Sequence, residues 1–123
     1  MQYGFIIPRG DLETILEMTT EAEEAGWDGV FYWDGIYIES AGPMYDPWVT
    51  LAAMALQTKR VRLGAVLTPP SRRRPWKLVR ETVTVDHLSH GRLMAEEATV
   101  RPDLMDERAS GVSGFIGYAA VLA

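Results

Sequence analysis

Along most of the chain the apolar positions follow two rhythms in turn, short continuous runs and a three-to-four-residue spacing, and this alternation predicts strands and helices in succession. Tyr3 to Ile7 is a short apolar run closed by Pro8-Arg9-Gly10, the pattern of a buried strand followed by a loop. From Asp11 to Ala25, Leu12, Ile15, Leu16, Thr19 and Ala22 fall at i, i+3, i+4, i+7 and i+10, one face of a helix that Asp11 caps and Gly26 ends. Gly29 to Trp33, GVFYW, is rich in aromatic and β-branched residues and predicts a second buried strand. Strand, helix and strand arise within about thirty residues, the size of one βαβ unit.

The stretch from Asp34 to Tyr45 carries Gly35, Gly42 and Pro43 and is long for a connection inside a compact domain, which marks it as a candidate functional loop. Asp46-Pro47 is a helix start, the carboxylate accepting orphan N–H groups and the proline filling a position that needs none. Trp48, Leu51, Ala52, Ala55 and Leu56 form the expected buried stripe, with Lys59 and Arg60 placed for the negative helix end. Val61, Leu63, Ala65 and Leu67 then alternate as a third strand. Pro75 restarts a helix with Leu78, Thr82, Val85 and Leu88 inward and Gly91 as its stop. Five of the seven residues from Val79 to Val85 are β-branched and argue for a strand, but length and the proline start decide for a helix. A charged segment, Glu96 to Arg108, suits a further helix and precedes the apolar tail GVSGFIGYAAVLA.

Composition narrows the function classes. The chain has 123 residues, suited to one domain spanning 1–123, and its 47% hydrophobic and 10% aromatic content predicts a packed fold. A formal charge of -5 offers no general attraction for nucleic acid or an anionic membrane, and neither is expected as a partner. With no cysteine there is neither a disulfide framework nor a thiol nucleophile. The start, Met1-Gln2-Tyr3-Gly4-Phe5, lacks a signal-type pattern, and the apolar tail is shorter than the roughly 20 residues of a membrane span, so the expectation is a cytoplasmic protein.

Three βα units in succession predict an α/β fold with parallel strands. Their motifs go further. AEEAGWDGVFYWDG, YDPWVTLAAMALQTKRVRLGAVLTP and RRRPWKLVRETVTVDHLSHGRL stand in the order found in the luciferase-like monooxygenases, the family of bacterial luciferase and the deazaflavin-dependent oxidoreductases, and resemble its first three units across about three quarters of the chain. The resemblance implies a TIM barrel, whose closed form needs at least about 200 residues, so the fold expected here is a partial barrel of about three βα units plus a rearranged C-terminal segment. It implies FMN or the deazaflavin coenzyme as cofactor, an oxidoreductase or monooxygenase function, and a site at the carboxyl ends of the strands. Trp33, Val66, Leu67 and Thr68 are the cofactor-binding candidates it carries over, and Asp34 is the catalytic candidate.

Two departures from the family pattern bear on function. The family's WDH motif carries a histidine that serves as acid or base in its deazaflavin enzymes; here Trp33-Asp34 is followed by Gly35, which cannot transfer a proton. After Gly91-Arg92-Leu93 the family's fourth strand and loop are missing, and later strands, which carry most of the cofactor-phosphate contacts, are absent. The functional expectation is therefore a flavin-dependent enzyme that needs another chain to complete its site. The alternative is a silent scaffold or oligomerising module that binds no cofactor. Exposed strand edges and one uncovered sheet face predict a homo-oligomer joined through those edges or the apolar tail.

Blander roles compete for the same residues. Asp34 after a strand suits a turn cap. Arg72-Arg73-Arg74 gains nothing from a helix N-terminus and suits a solvated face or acids of a neighbouring chain. His87 and His90 lack a third ligand, so no metal is expected, and His90 beside Gly91 suits a helix terminus. Trp48 and Trp76 suit the core, and only Trp33 has a family reason to face a site.

Overall fold

The computed structural model describes residues 1–35, 42–66, 68 and 70–94, with the backbone alone for Pro70 and 118–122. Strands β1 (Gln2–Ile6), β2 (Gly29–Trp33), β3 (Arg62–Val66) and β4 (Leu93–Met94) alternate with helices α1 (Leu12–Glu24), α2 (Pro47–Gln57) and α3 (Pro75–Leu88). These four strands are parallel, and β5 (Tyr118–Leu122) runs antiparallel to β1, giving the sheet order β4-β3-β2-β1-β5. Three βα units and a two-residue start of a fourth make the partial barrel that the motifs imply. The expected helix over 96–108 lies outside the described residues.

Local chemistry sets the helix limits where the sequence places them. Asp11 and Asp46 accept the Thr14 and Val49 N–H groups at 2.9 and 3.0 Å, capping α1 and α2. Gly26, at φ 90, ends α1: its N–H reaches Glu23 O and that of Trp27 reaches Ala22 O. The same 5→2 and 6→1 pair ends α3, where His90 takes the left-handed position at φ 56 and Gly91 N–H reaches Asp86 O. His90 thus serves the helix terminus through its backbone. Despite its β-branched run, α3 is one continuous helix of 14 residues.

The helix-facing side of the sheet is the larger core, with Phe5, Ile7, Val30, Tyr32 and Leu63 packed against Ile15, Met18, Leu51, Met54 and Val85. Two predicted stripe residues turn out. Leu56 is 70% exposed, because it lies five residues beyond Leu51, whereas Met54 and Ala55, three and four beyond, stay on the buried face. Leu12 in the first turn of α1 is likewise exposed, and Met18 joins the core in its place.

The opposite sheet face, expected to be uncovered, is closed: Ile6, Phe31 and Val66 are at most 1% exposed. Its central ring, Phe31, lies over the neighbouring strands at two glycines. A Cβ at Gly4 would collide with Phe31 Cε2, and one at Gly64 would come within 2.8 Å of Cε1. The β1 edge, expected to invite another chain, is paired along its five residues by β5 within the same chain. Antiparallel pairing satisfies the β1 backbone locally, where a closed barrel would use its last strand.

Candidate functional site

The carboxyl ends of β1, β2 and β3 come together through backbone bonds that continue the sheet beyond its strands. Ile7 N–H donates to Phe31 O at 2.9 Å, and Asp34 N–H to Val66 O at 3.0 Å. The second of these places Asp34 beside the end of β3 and within reach of the loop leading to α3. A short 3-10 turn, Pro70–Arg72, lies just before α3.

Asp34 is 5% exposed, and both carboxylate oxygens are engaged by one guanidinium. Arg73 donates through Nε to Oδ2 at 3.1 Å and through Nη2 to Oδ1 at 2.8 Å, while Arg72 Nη2 donates to the Asp34 carbonyl at 2.8 Å. This bidentate fork is the strongest way to hold a carboxylate in a half-dry site. The hydrogen bond to Asp34 raises the Arg73 pKa above its ordinary value, against the opposing effect of burial. Arg73 Nη1 also lies 3.6 Å from Glu81 Oε2, and Lys77 Nζ lies 3.1 Å from Glu81 Oε1, so the charges run from the strand ends into the first turns of α3.

Arg73 therefore pairs inside the chain, in place of the solvated face or neighbouring chain expected for the arginine run. Arg74 differs again, lying 5.9 Å from the ring centre of Trp76. Trp76 itself is 64% exposed rather than core, while Trp48 is buried as expected.

Asp34, Gly35, Met44, Asp46, Arg72 and Arg73 line an open cavity of about 370 Å³. On one side of it Tyr45 N–H donates to the Tyr32 hydroxyl at 3.2 Å, and burial raises the pKa of that phenol. Gly35, which stands where the family motif has histidine, has its side-chain space filled from elsewhere. A Cβ there would lie 2.5 Å from Met44 Cε and 3.5 Å from Sδ. A thioether thus takes the room of the missing imidazole without its proton chemistry.

The remaining candidates separate. Trp33 is partly buried and packs beside Ile6, Phe31 and Val66. The Val66 side chain is fully buried and its carbonyl is taken by Asp34. Leu67 lies outside the described residues. Thr68 is partly buried, and its Oγ1 is shielded from solvent without a hydrogen-bond partner. Buried side-chain hydroxyls are ordinarily hydrogen-bonded, which sets this one at the end of a central strand apart. Among the described residues no three His, Cys, Asp or Glu side chains gather as a metal site, and no helix is long and apolar enough to cross a membrane.

Sequence reasoning missed the Asp34–Arg73 lock and the Met44 substitution for a side chain at 35. Neither has a local signal, since the partners are 39 and 9 residues apart and meet only once the loops fold over the strand ends.

Comparison with known proteins agrees with this architecture. A family model described as luciferase-like monooxygenase matches residues 3–95. An uncharacterised protein of Mycobacterium tuberculosis is 44% identical over 48 residues, 39% of this chain and 17% of that protein. Among solved structures, the monooxygenase RslO1 from Streptomyces bottropensis is 28% identical with a TM-score of 0.70, covering 92% of this chain and 37% of its own. The FMN complex of the oxygenating constituent of 3,6-diketocamphane monooxygenase from Pseudomonas putida is 20% identical with a TM-score of 0.69, over 91% of this chain and 33% of that one. The coenzyme F420 dependent tetrahydromethanopterin reductase from Methanopyrus kandleri is 23% identical with a TM-score of 0.65, over 76% and 25%. The chain thus spans between a quarter and two fifths of these folds.

Proposed function

Since the chain belongs to the luciferase-like monooxygenase family, we propose that it is a flavin- or deazaflavin-dependent oxidoreductase module that holds one wall of the cofactor site and relies on a second chain for the rest. The observation that carries this is the Thr68 hydroxyl, buried and unpartnered at the end of β3. A buried hydroxyl without a partner costs stability, and a ligand group that pairs with it recovers that cost. When bound, the isoalloxazine or deazaflavin ring supplies hydride or oxygen chemistry, and the protein supplies position and electrostatics.

In this reading Thr68 hydrogen-bonds the cofactor, and Trp33, Val66 and Leu67 shape the apolar wall beside it. Val66 contributes from beneath, since its side chain is sealed in the sheet. Asp34 and Arg73 form a neutralised pair at the margin of the site, which orients the loop before α3 and keeps its arginines close to the strand ends. For Asp34 to act as acid or base, a substrate has to compete with Arg73 for one of its oxygens.

A second reading, a scaffold without chemistry, is favoured by Gly35. The motif position that carries an imidazole in the family is filled here by Met44, and the adjacent Asp34 carboxylate is occupied by a guanidinium.

Titration of the purified chain with FMN and with coenzyme F420, followed by fluorescence, separates the two readings. Saturable binding that weakens in Thr68→Val is the result expected for a cofactor module. No binding at high micromolar ligand by a folded chain sinks that reading in favour of the scaffold.

A further inference from the structure

The cavity at the carboxyl ends of the strands gathers the charged side chains of Asp34, Asp46, Arg72 and Arg73. Asp34 and Arg73 neutralise each other through their bidentate fork, and Asp46 accepts the Val49 N–H as the cap of α2. Arg72 stands apart. Its Nη2 donates to the Asp34 carbonyl at 2.8 Å, which holds the guanidinium at the cavity wall through a neutral group. Among the described residues no carboxylate lies within ion-pair distance of it, and its Nε and Nη1 donors have no acceptor.

We propose that this cavity binds a small organic carboxylate, with Arg72 taking the carboxylate group and Met44 and Tyr45 meeting the apolar part. The size follows from the volume, about 370 Å³, near the lower end of ligand pockets. The charge follows from the donors. A carboxylate matches the planar fork of one guanidinium, whereas a dianion such as phosphate would find Arg73 already neutralised and would face the Asp34 and Asp46 carboxylates. The apolar part follows from Gly35: the space beside it is filled by Met44, an unbranched and polarizable side chain that adapts to whatever packs on it. On the reading of the strand ends as a cofactor wall, on which this assignment rests, the carboxylate is the handle that holds the substrate beside the cofactor.

Binding of the carboxylate itself requires no cofactor, so it is tested on the chain alone. Hexanoate at neutral pH is the probe, and hexanamide, equal in size but uncharged, is its control. Isotope labelling of the methionine methyl groups gives six NMR reporters, and Met44→Leu identifies the one at the cavity. Hexanoate is expected to shift the Met44 methyl resonance saturably in the millimolar range, more weakly in added salt because Arg72 is exposed, and hexanamide to leave it in place. Arg72→Gln should weaken hexanoate binding about tenfold, the worth of a charge-assisted hydrogen bond. Arg74→Gln, which removes the same charge outside the cavity, should leave it unchanged. Both arginines are exposed, so neither change should disturb the core, and circular dichroism of each variant checks the fold. A Met44 methyl that stays in place at tens of millimolar hexanoate overturns the proposal. So do equal responses to hexanoate and hexanamide, or equal losses in the two arginine variants. Flavin binding without a hexanoate response keeps the cofactor wall and sinks the carboxylate site; a hexanoate response without flavin binding does the reverse.

Discussion

The two ends of the parallel sheet are built to different standards. At the amino ends of the strands, loop and helix termini are tied by charged side chains to backbone groups. Arg92 donates to the carbonyls of Ala55, Thr58, Val61 and Ser89 and to the Thr58 hydroxyl, at 2.6 to 2.9 Å. Glu23 accepts the N–H groups of Lys59, Arg60 and Val61, and Arg60 in turn donates to Glu23 O and Trp27 O at the end of α1. At the carboxyl ends the order is looser: an open cavity, an orphan hydroxyl on Thr68, and one salt bridge holding the loop before α3. The contrast matches the division of labour of a (β/α) barrel, in which one face of the sheet is built for stability and the other is left open.

The largest effect that can test this contrast is at Arg92. Removing its guanidinium leaves several half-buried carbonyls at the ends of α2 and α3 without donors, and each such orphan costs on the order of 1 kcal/mol or more. Arg92→Met, which keeps much of the stem volume, is expected to lower the unfolding free energy by about 3 kcal/mol or more in urea denaturation. Burial lowers the Arg92 pKa, with Glu23 opposing that shift, so the guanidinium is partly desolvated as well as fully bonded. Arg92→Lys should recover little of the loss, because a single ammonium cannot span donors set by a planar fork. An Arg92→Met chain within 1 kcal/mol of the parent would mean that water replaces the clamp and that the two ends are alike.

How much of this was legible in the sequence follows the range over which each feature is decided. Caps at Asp11 and Asp46, the Gly26 and Gly91 stops and the succession of βα units are local, and each was readable from residues within a turn or two of one another. The helix at Pro75–Leu88 was readable although five β-branched residues opposed it, because length and a proline start outweigh propensity once one face is buried against α2. Leu56 was misplaced by a two-residue error in phase. The inner sheet face was not legible at all: Gly4 and Gly64 look like weak points in strands until the Phe31 ring is seen lying over both. The same holds for the site. Its position at the strand ends followed from the family motifs, but the Asp34–Arg73 fork and Met44 in the space beside Gly35 depend on loops whose path no local pattern sets.

An intermediate effect is expected at that fork. Arg73→Ala leaves a carboxylate at 5% exposure without its partner and should cost about 2 to 3 kcal/mol, while Asp34→Asn alone should cost less, since the amide can still accept from Arg73. The double substitution should lie well short of the sum, with a coupling of at least about 1 kcal/mol in a double-mutant cycle. The comparison sharpens if the Arg73 loss exceeds that of removing an exposed pair such as Lys77 with Glu81, where Lys77 is 69% exposed and solvent screening leaves little to lose. Equal losses for the two pairs would make the carboxyl-end salt bridge an ordinary surface contact rather than the lock on the α3 loop.

The smallest effect is expected in acid, at Glu23. Burial pushes its carboxyl up, but the N–H groups of Val61, Arg60 and Lys59 together with the charge of Arg92 bring it below the ordinary value of 4.5. The folded pKa is thus lower than the unfolded one, so the carboxylate contributes stability that is present above pH 4.5 and disappears as the pH falls through the folded value. Glu23→Gln should therefore cost roughly 1 kcal/mol near neutrality, the modest worth of a partly solvated charge-assisted cluster, and its stability curve should converge on that of the parent once the pH has fallen below the folded pKa. The convergence is what distinguishes an anion holding three backbone donors from a side chain that merely fills space, since a packing defect would persist unchanged into acid. It also ties the two clamps together. Arg92 contributes to the Glu23 shift from the far side of the α2–β3 turn, so in Arg92→Met the pH dependence owed to Glu23 should shrink, and a curve that keeps its full slope would show the two charges acting independently.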